Sequence, residues 1–263
     1  MNQVPPDMNP ILWRERIAFE RGTRFSRLIK IAYGLFGVLG VLTLCALTST
    51  IMATGGEFSL DDWLWDFFSF YMAIFVSLSQ VVIVIFFVPP LVAGAITEER
   101  KRETLDLLFV TPLKMTQILN GKLRAAVPRV ARLVGWMGCL LVFALPSSEI
   151  SLIGVLLSQL VVLITAIFVL TLTLYLSSRL SSTAVVLSVT YGAFFGLIIA
   201  TFIVALMTEF MGLNFPIALS AAFLSDYDED ALVAVISYVI LYGVCSVVLY
   251  EATRKRLERM ANR

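Results

Sequence analysis

From Ile29 to Tyr250 long apolar runs alternate with short polar breaks, and within the runs apolar residues do not keep to one helical or strand face. A helix rises ~1.5 Å per residue, so about 20 apolar residues cross a hydrocarbon layer ~30 Å thick. The runs predict six spans: Ile29 to Met52, Asp66 to Ile96, Ala125 to Leu145, Ile150 to Ser177, Ala184 to Thr208 and Ala231 to Tyr250. Pro89 and Pro90 break the second, and the turn "PSSE" separates the third from the fourth. The piece "FMGLNFPIALSAAFL", Phe210 to Leu224, is too short to cross and carries Gly, Asn and Pro, so it reads as a re-entrant element between the last two spans. The expected fold is therefore an all-α membrane protein in one domain. Its first apolar run is too long for a signal peptide and lacks a small-residue cleavage site after it.

The polar breaks give the spans a direction. Every Lys and Arg falls in the N-terminal segment up to Lys30 at the very start of the first span, in the region Thr97 to Arg132, in the turn "SSRLSS" or in the tail after Tyr250. The opposite loops carry only acids: Glu57, Asp61, Asp62, Asp66, Glu149, Glu209, Asp226, Asp228, Glu229 and Asp230. Basic loops stay in the cytoplasm, so both termini and the 97–124 loop are expected there, with 251–263 as a basic tail anchored to lipid headgroups. Composition agrees: 59% of the 263 residues are hydrophobic, 15% are charged, and the mean hydropathy is +0.90. A soluble domain carries charge nearer a quarter of its residues.

Composition also removes chemistries. There is no histidine, hence no Ser-His dyad, His-ligated metal or imidazole proton shuttle. Cys45, Cys139 and Cys245 all lie in apolar runs and read as small buried hydrophobes, not as a metal or disulfide set. The six-span reading puts no charge in the central part of a span, which argues against an ion-coupled carrier. Gly121-Lys122 is followed by Leu123 and has no upstream glycine at phosphate-loop spacing, so the chain is not expected to hydrolyse ATP itself. No nucleic-acid partner, catalytic residue or metal is expected.

One polar insert stands out. In "ITEERKRETLDLLFVTPLKMTQILNGKLR", Ile96 to Arg124, the residues Leu105, Leu108 and Phe109 share a helical face. Thr111 and Pro112 then give a cap hydroxyl and a first-turn proline, Met115, Ile118 and Leu119 form an apolar stripe, and Asn120-Gly121 predicts the stop of a short helix. By spacing alone, docking of a partner and packing on the membrane surface are both open.

The order of motifs in this run, a Glu-Arg pair, Thr-Leu, Leu-Leu, Thr-Pro and Gly-Lys between the second and third spans, resembles the first cytoplasmic loop of ABC-2 type transporter permeases. This chain has Glu103 where members usually carry Gly before that Thr. The N-terminal "NPILWRERIAFERGTR" similarly resembles the elbow helix, here 1–28, that precedes the family's first span. The resemblance implies a dimeric membrane subunit of an ABC transporter in a bacterial inner membrane, mostly exporters, paired with a second permease copy or a homologous permease. ATP and Mg would be bound by a separate ABC ATPase subunit. It also implies that this ATPase grips the loop through Glu98, Glu99, Arg100, Thr104, Leu105, Leu108, Thr111, Pro112, Leu113, Gly121 and Lys122. A non-transporting scaffold using the same loop is the alternative.

Within the spans, Ser77, Gln80, Gln159 and Thr165 are polar groups that either face a route or hydrogen-bond between helices. Gly192 and Gly196, in "GAFFG", permit close helix approach, within one bundle or between two copies.

Overall fold

The computed structural model describes residues 62–101, 115–139, 141, 152–208 and 229–261. The elements in this part of the chain are α-helices: α1 Asp62–Val92, α2 Gly94–Lys101, α3 Met115–Gly138, α4 Leu152–Arg179, α5 Thr183–Thr208 and α6 Glu229–Ala261. The expected elbow, the first span, the re-entrant piece and the middle of the polar insert lie outside the described residues.

Among the described residues four helices are long and apolar enough to cross a membrane: Val76–Lys101, Leu152–Arg179, Thr183–Val204 and Asp230–Met260. They are apolar on the outside as well as the inside. On α4 the outward face carries Leu152, Ile153, Leu156, Leu160, Leu163 and Ile167, and on α6 Val233, Ile240, Val244 and Val248 are exposed. Water would penalise such a surface, whereas hydrocarbon does not, so the chain is membrane-embedded.

Helix α4 is the hub, touching each of the other five. Its buried side presents Val161, Val162, Ala166, Val169, Leu170 and Leu174 to α1 and α6. Cross-helix contacts fix the directions. Gln80 meets Gln159 and Ile96 meets Ser177, so α1 and α4 run the same way. Thr165 meets Tyr238 and Ser178 meets Arg256, so α6 joins them. Asn120 meets Tyr250, and Tyr191 meets Phe86, so α3 and α5 run the opposite way. Lys101, Arg179 and Arg259 thereby gather at one end of the bundle, the basic end.

The prolines do not break the second span where they stand. Helix α1 passes through Pro89 and Pro90 and yields at Ala93, one turn later. A proline at position 90 has no N–H for the Phe86 carbonyl, and the Tyr191 hydroxyl donates to that carbonyl instead at 3.0 Å. At the break, Ser177 Oγ accepts from the Ile96 N–H at 3.2 Å and donates to the Ala93 carbonyl at 2.9 Å. One side chain of α4 thus gives the Ile96 N–H the acceptor that the break takes away, and it shares the Ala93 carbonyl with Thr97 Oγ1, which donates to it at 3.0 Å.

Three further expectations change. Asn120-Gly121 does not stop a helix: α3 runs on to Gly138, through Pro128 as well. Ile118, Lys122, Ala126, Val130 and Val134 recur every four residues and are all buried, and this packing outweighs the ~1 kcal/mol that a glycine costs inside a helix. The sixth helix does not end with the expected span at Tyr250: α6 runs on to Ala261 through the basic tail, with Thr253 and Leu257 buried. Finally, Arg132 is two residues from Val134, whose carbonyl accepts from Gln80 near the middle of α1. Arg132 is thus an exposed charge on α3 inside the expected third span, although the partition of charges counted it with the region Thr97 to Arg132. The long aliphatic stem of arginine lets it lie along apolar surface while its guanidinium reaches polar surroundings.

Candidate functional site

The described part of the polar insert ends at Lys101, the end of α2, and resumes at Met115, the start of α3. Thr104, Leu105, Leu108, Thr111, Pro112 and Leu113 lie between, outside the described residues. Both roots are described, and each is built into the span bundle.

The first fastening is between the roots. Lys122 Nζ lies 3.2 Å from Glu99 Oε1, and both side chains are almost wholly buried. The same ammonium donates to the Ala95 carbonyl. A buried ion pair is costly to assemble, and removing one partner is costlier still because the other charge is left behind. Glu98, one residue earlier in α2, is exposed. Two residues that the resemblance assigns to ATPase contact thus face inward in this structure and clasp α2 to α3, while Glu98 remains on the surface.

The second fastening ties α2 to the far side of the bundle. Arg100 donates to the Ser178 carbonyl at 3.0 Å and the Leu180 carbonyl at 3.4 Å, and Arg256 from α6 donates to the same Ser178 carbonyl at 3.0 Å. The last carbonyls of a helix have no intrahelical partner and carry the negative end of its dipole, so two guanidiniums at the end of α4 are well placed. Thr97 Oγ1 adds a bond to Thr183 Oγ1 at 3.0 Å, joining α2 to the first residue of α5. The eight-residue α2 is therefore in contact with the ends of α3, α4, α5 and α6.

The expected route residues sit deeper. Gln80 and Gln159 exchange amide bonds, Nε2 of Gln159 to Oε1 of Gln80 at 3.0 Å and the reverse at 3.3 Å, and Gln80 also reaches the Val134 carbonyl. This links α1, α3 and α4 through a fully buried Gln80 and a half-buried Gln159, each amide meeting both the donor and the acceptor of the other. Gly138 lies beside it, and a Cβ there would stand 2.9 Å from Gln159 Oε1, so a larger residue would push that flexible amide aside. Thr165 shares a hydrogen bond of 2.8 Å with Tyr238. Ser77 is fully buried, and its hydroxyl has no hydrogen-bond partner among the described residues.

Gly192 and Gly196 lie on the outer face of α5, and a Cβ at either would meet nothing within 4 Å among the described residues. With the exposed Ser188 and Ala200 they form a shallow strip of small residues at four-residue spacing. Sequence reasoning missed Ser177, Ser178 and Arg256. The serines looked like ordinary turn residues, and nothing in their spacing distinguishes a hydroxyl that bridges a helix break from one that faces solvent.

Among known proteins, no family model and no curated sequence matches this chain.

Proposed function

We propose that the chain is the membrane subunit of an ATP-driven transporter of the ABC-2 type, an exporter energised by a separate ATPase that grips the 102–114 segment. The observation that carries this reading is the fastening of the segment's two roots. One root is held to the other by Glu99 and Lys122, and the first is held to α4 and α6 through Arg100. A pull on the segment would reach the spans with little slack, which is what a rigid-body switch driven from outside the membrane requires. The order of the Glu-Arg, Thr-Leu, Leu-Leu, Thr-Pro and Gly-Lys motifs supports the same reading.

On this view Thr104, Leu105, Leu108, Thr111, Pro112, Leu113 and the exposed Glu98 meet the ATPase, whereas Glu99, Arg100, Gly121 and Lys122 transmit its movement. ATP and Mg belong to the partner. Two copies, or this chain and a homologous permease, would form the pore in a bacterial inner membrane, with both termini cytoplasmic. The strip of small residues on α5 supports a second copy as its occupant, since bare helix surfaces approach closely.

The test is a search of the adjacent genes for a Walker-motif ATPase without spans of its own, and co-purification of that ATPase with wild type and with Leu108→Asp, followed by ATP turnover in reconstituted vesicles. A buried anchor of this kind carries about 2 kcal/mol or more of association, so the variant is expected to insert normally and lose its partner. Unchanged binding and turnover would overturn the coupling role. A partner ATPase that binds the loop while nothing is moved across the vesicle would favour the scaffold.

A further inference from the structure

At the basic end, between the last turn of α4 and the final turns of α6, a cavity of about 370 Å³ opens to the surface. It is lined by Arg179, Ala252, Lys255, Arg256, Arg259 and Met260, so four of its six lining residues are cationic and none is acidic. The carboxylates nearest in the chain are engaged elsewhere. Arg254, on another side of α6, pairs with Glu258 at 3.0 Å and with Glu251 at 3.3 Å. Arg256 spends its Nε on the Ser178 carbonyl, and Arg179 lies over the Tyr175 ring at 5.0 Å. Among the described residues no carboxylate pairs with Lys255 or Arg259. Four like charges around one concavity repel one another, and the arrangement becomes favourable when an anion enters.

The surroundings say what kind of anion. Val233, Ile240, Val244 and Val248 form an exposed apolar stripe on α6, and the same helical face continues into Ala252, Lys255 and Arg259. In a membrane-embedded helix this stripe faces acyl chains. It changes from valine to lysine and arginine where a headgroup would lie.

We propose that the cavity is a binding site for an anionic phospholipid of the leaflet at the basic end, its phosphate held by Arg179, Lys255, Arg256 and Arg259 and its acyl chain lying along α6. Four cations outnumber the charge of one phosphate diester, so a headgroup carrying two phosphates is the best matched. The volume suits such a group, being within the ~300–1,000 Å³ usual for small-molecule sites. Basic pockets between spans on the inner side of membranes are made for this chemistry. The inference rests on membrane embedding alone and is independent of the transport reading.

The test uses the full-length chain in phosphatidylcholine nanodiscs doped with cardiolipin, with bound lipid counted by native mass spectrometry after release into detergent. Wild type is expected to retain cardiolipin over phosphatidylcholine. The Lys255→Gln/Arg259→Gln variant should hold it about tenfold or more weakly, since each cation near an anionic surface contributes substantially. Both residues are exposed, so the fold should survive. Arg254→Gln, which removes a positive charge from the same helix outside the cavity, should retain the lipid as wild type does. Equal weakening in both variants would reduce the effect to general surface charge and overturn a defined site. Equal retention of phosphatidylcholine would overturn anion selectivity. Displacement of the lipid by millimolar glycerol phosphate would make the ligand a free phosphate rather than a lipid, and that also overturns the proposal.

Discussion

Lys122 is the side chain on which most depends at the basic end, because two groups of α2 converge on its ammonium: the Glu99 carboxylate and the Ala95 carbonyl. Lys122→Met would strand a buried carboxylate and is expected to destabilise the protein by about 3–5 kcal/mol, while Glu99→Gln/Lys122→Met should recover much of that loss. Unfolding in mixed micelles measures both, and a loss below about 1 kcal/mol for the single variant would mean that the pair is solvated in the membrane. The amide exchange deeper in the bundle is a smaller matter. Gln80→Leu should cost about 0.6–1.7 kcal/mol, the range for such bonds between membrane helices. Changing Gln159 to Leu as well should restore stability, since two apolar groups satisfy each other without hydrogen bonds.

The helices show how local rules are overridden and repaired. Pro90 orphans the Phe86 carbonyl, and α5 returns a donor through Tyr191, whose ring also lies 5.8 Å from that of Phe86. Tyr191→Phe is therefore expected to cost about 0.5–1.5 kcal/mol in wild type and close to nothing in a Pro90→Ala background, where the helix supplies its own N–H. A double-mutant cycle on the unfolding free energy reads this directly, and additive costs would show that the tyrosine bond is unrelated to the proline. Helix α3 gives the converse lesson. Its glycine and proline both argue for an ending, yet Leu119, Ala126 and Val130 are buried and the helix continues.

For the molecule as a whole, the arrangement of charges makes a prediction about the membrane. Helix α6 has 33 residues, so at ~1.5 Å each it is about 50 Å long and separates Asp230 from the basic end by more than a hydrocarbon thickness. In a background lacking Cys45, Cys139 and Cys245, Asp230→Cys should label with an impermeant thiol reagent from outside whole cells, and Lys101→Cys should label only after permeabilisation. The reverse pattern would invert the topology and remove access of a cytoplasmic ATPase to the 102–114 segment. Oligomeric state is testable on α5. Gly192→Leu/Gly196→Leu should leave thermal stability within about 1 kcal/mol, because a Cβ there meets nothing within 4 Å, while shifting a dimer to monomer in mass photometry. A large loss of stability with no change of mass would place the strip inside one bundle.

Membrane embedding, helical class and the ends of α4 and α5 were legible in the sequence, because a chain in lipid must satisfy its backbone within helices and must clothe them in apolar residues all round. Ile150 to Ser177 was expected and Leu152–Arg179 is found; Ala184 to Thr208 was expected and Thr183–Thr208 is found. The glutamine and threonine of the expected route were legible as polar exceptions, but their partners were not, since Gln80 and Gln159 are far apart in the chain and no periodicity couples them. The same holds for the basic end. The family resemblance pointed to Glu99, Arg100 and Lys122 as contacts for a partner, and only the packing of α2 against its neighbours buries Glu99 with Lys122 and sets Arg100 on the end of α4. Charge at a segment's root reads alike whether it meets a partner or a neighbouring helix. The difference lies in which long-range contacts bury it, and those are fixed by the fold as a whole.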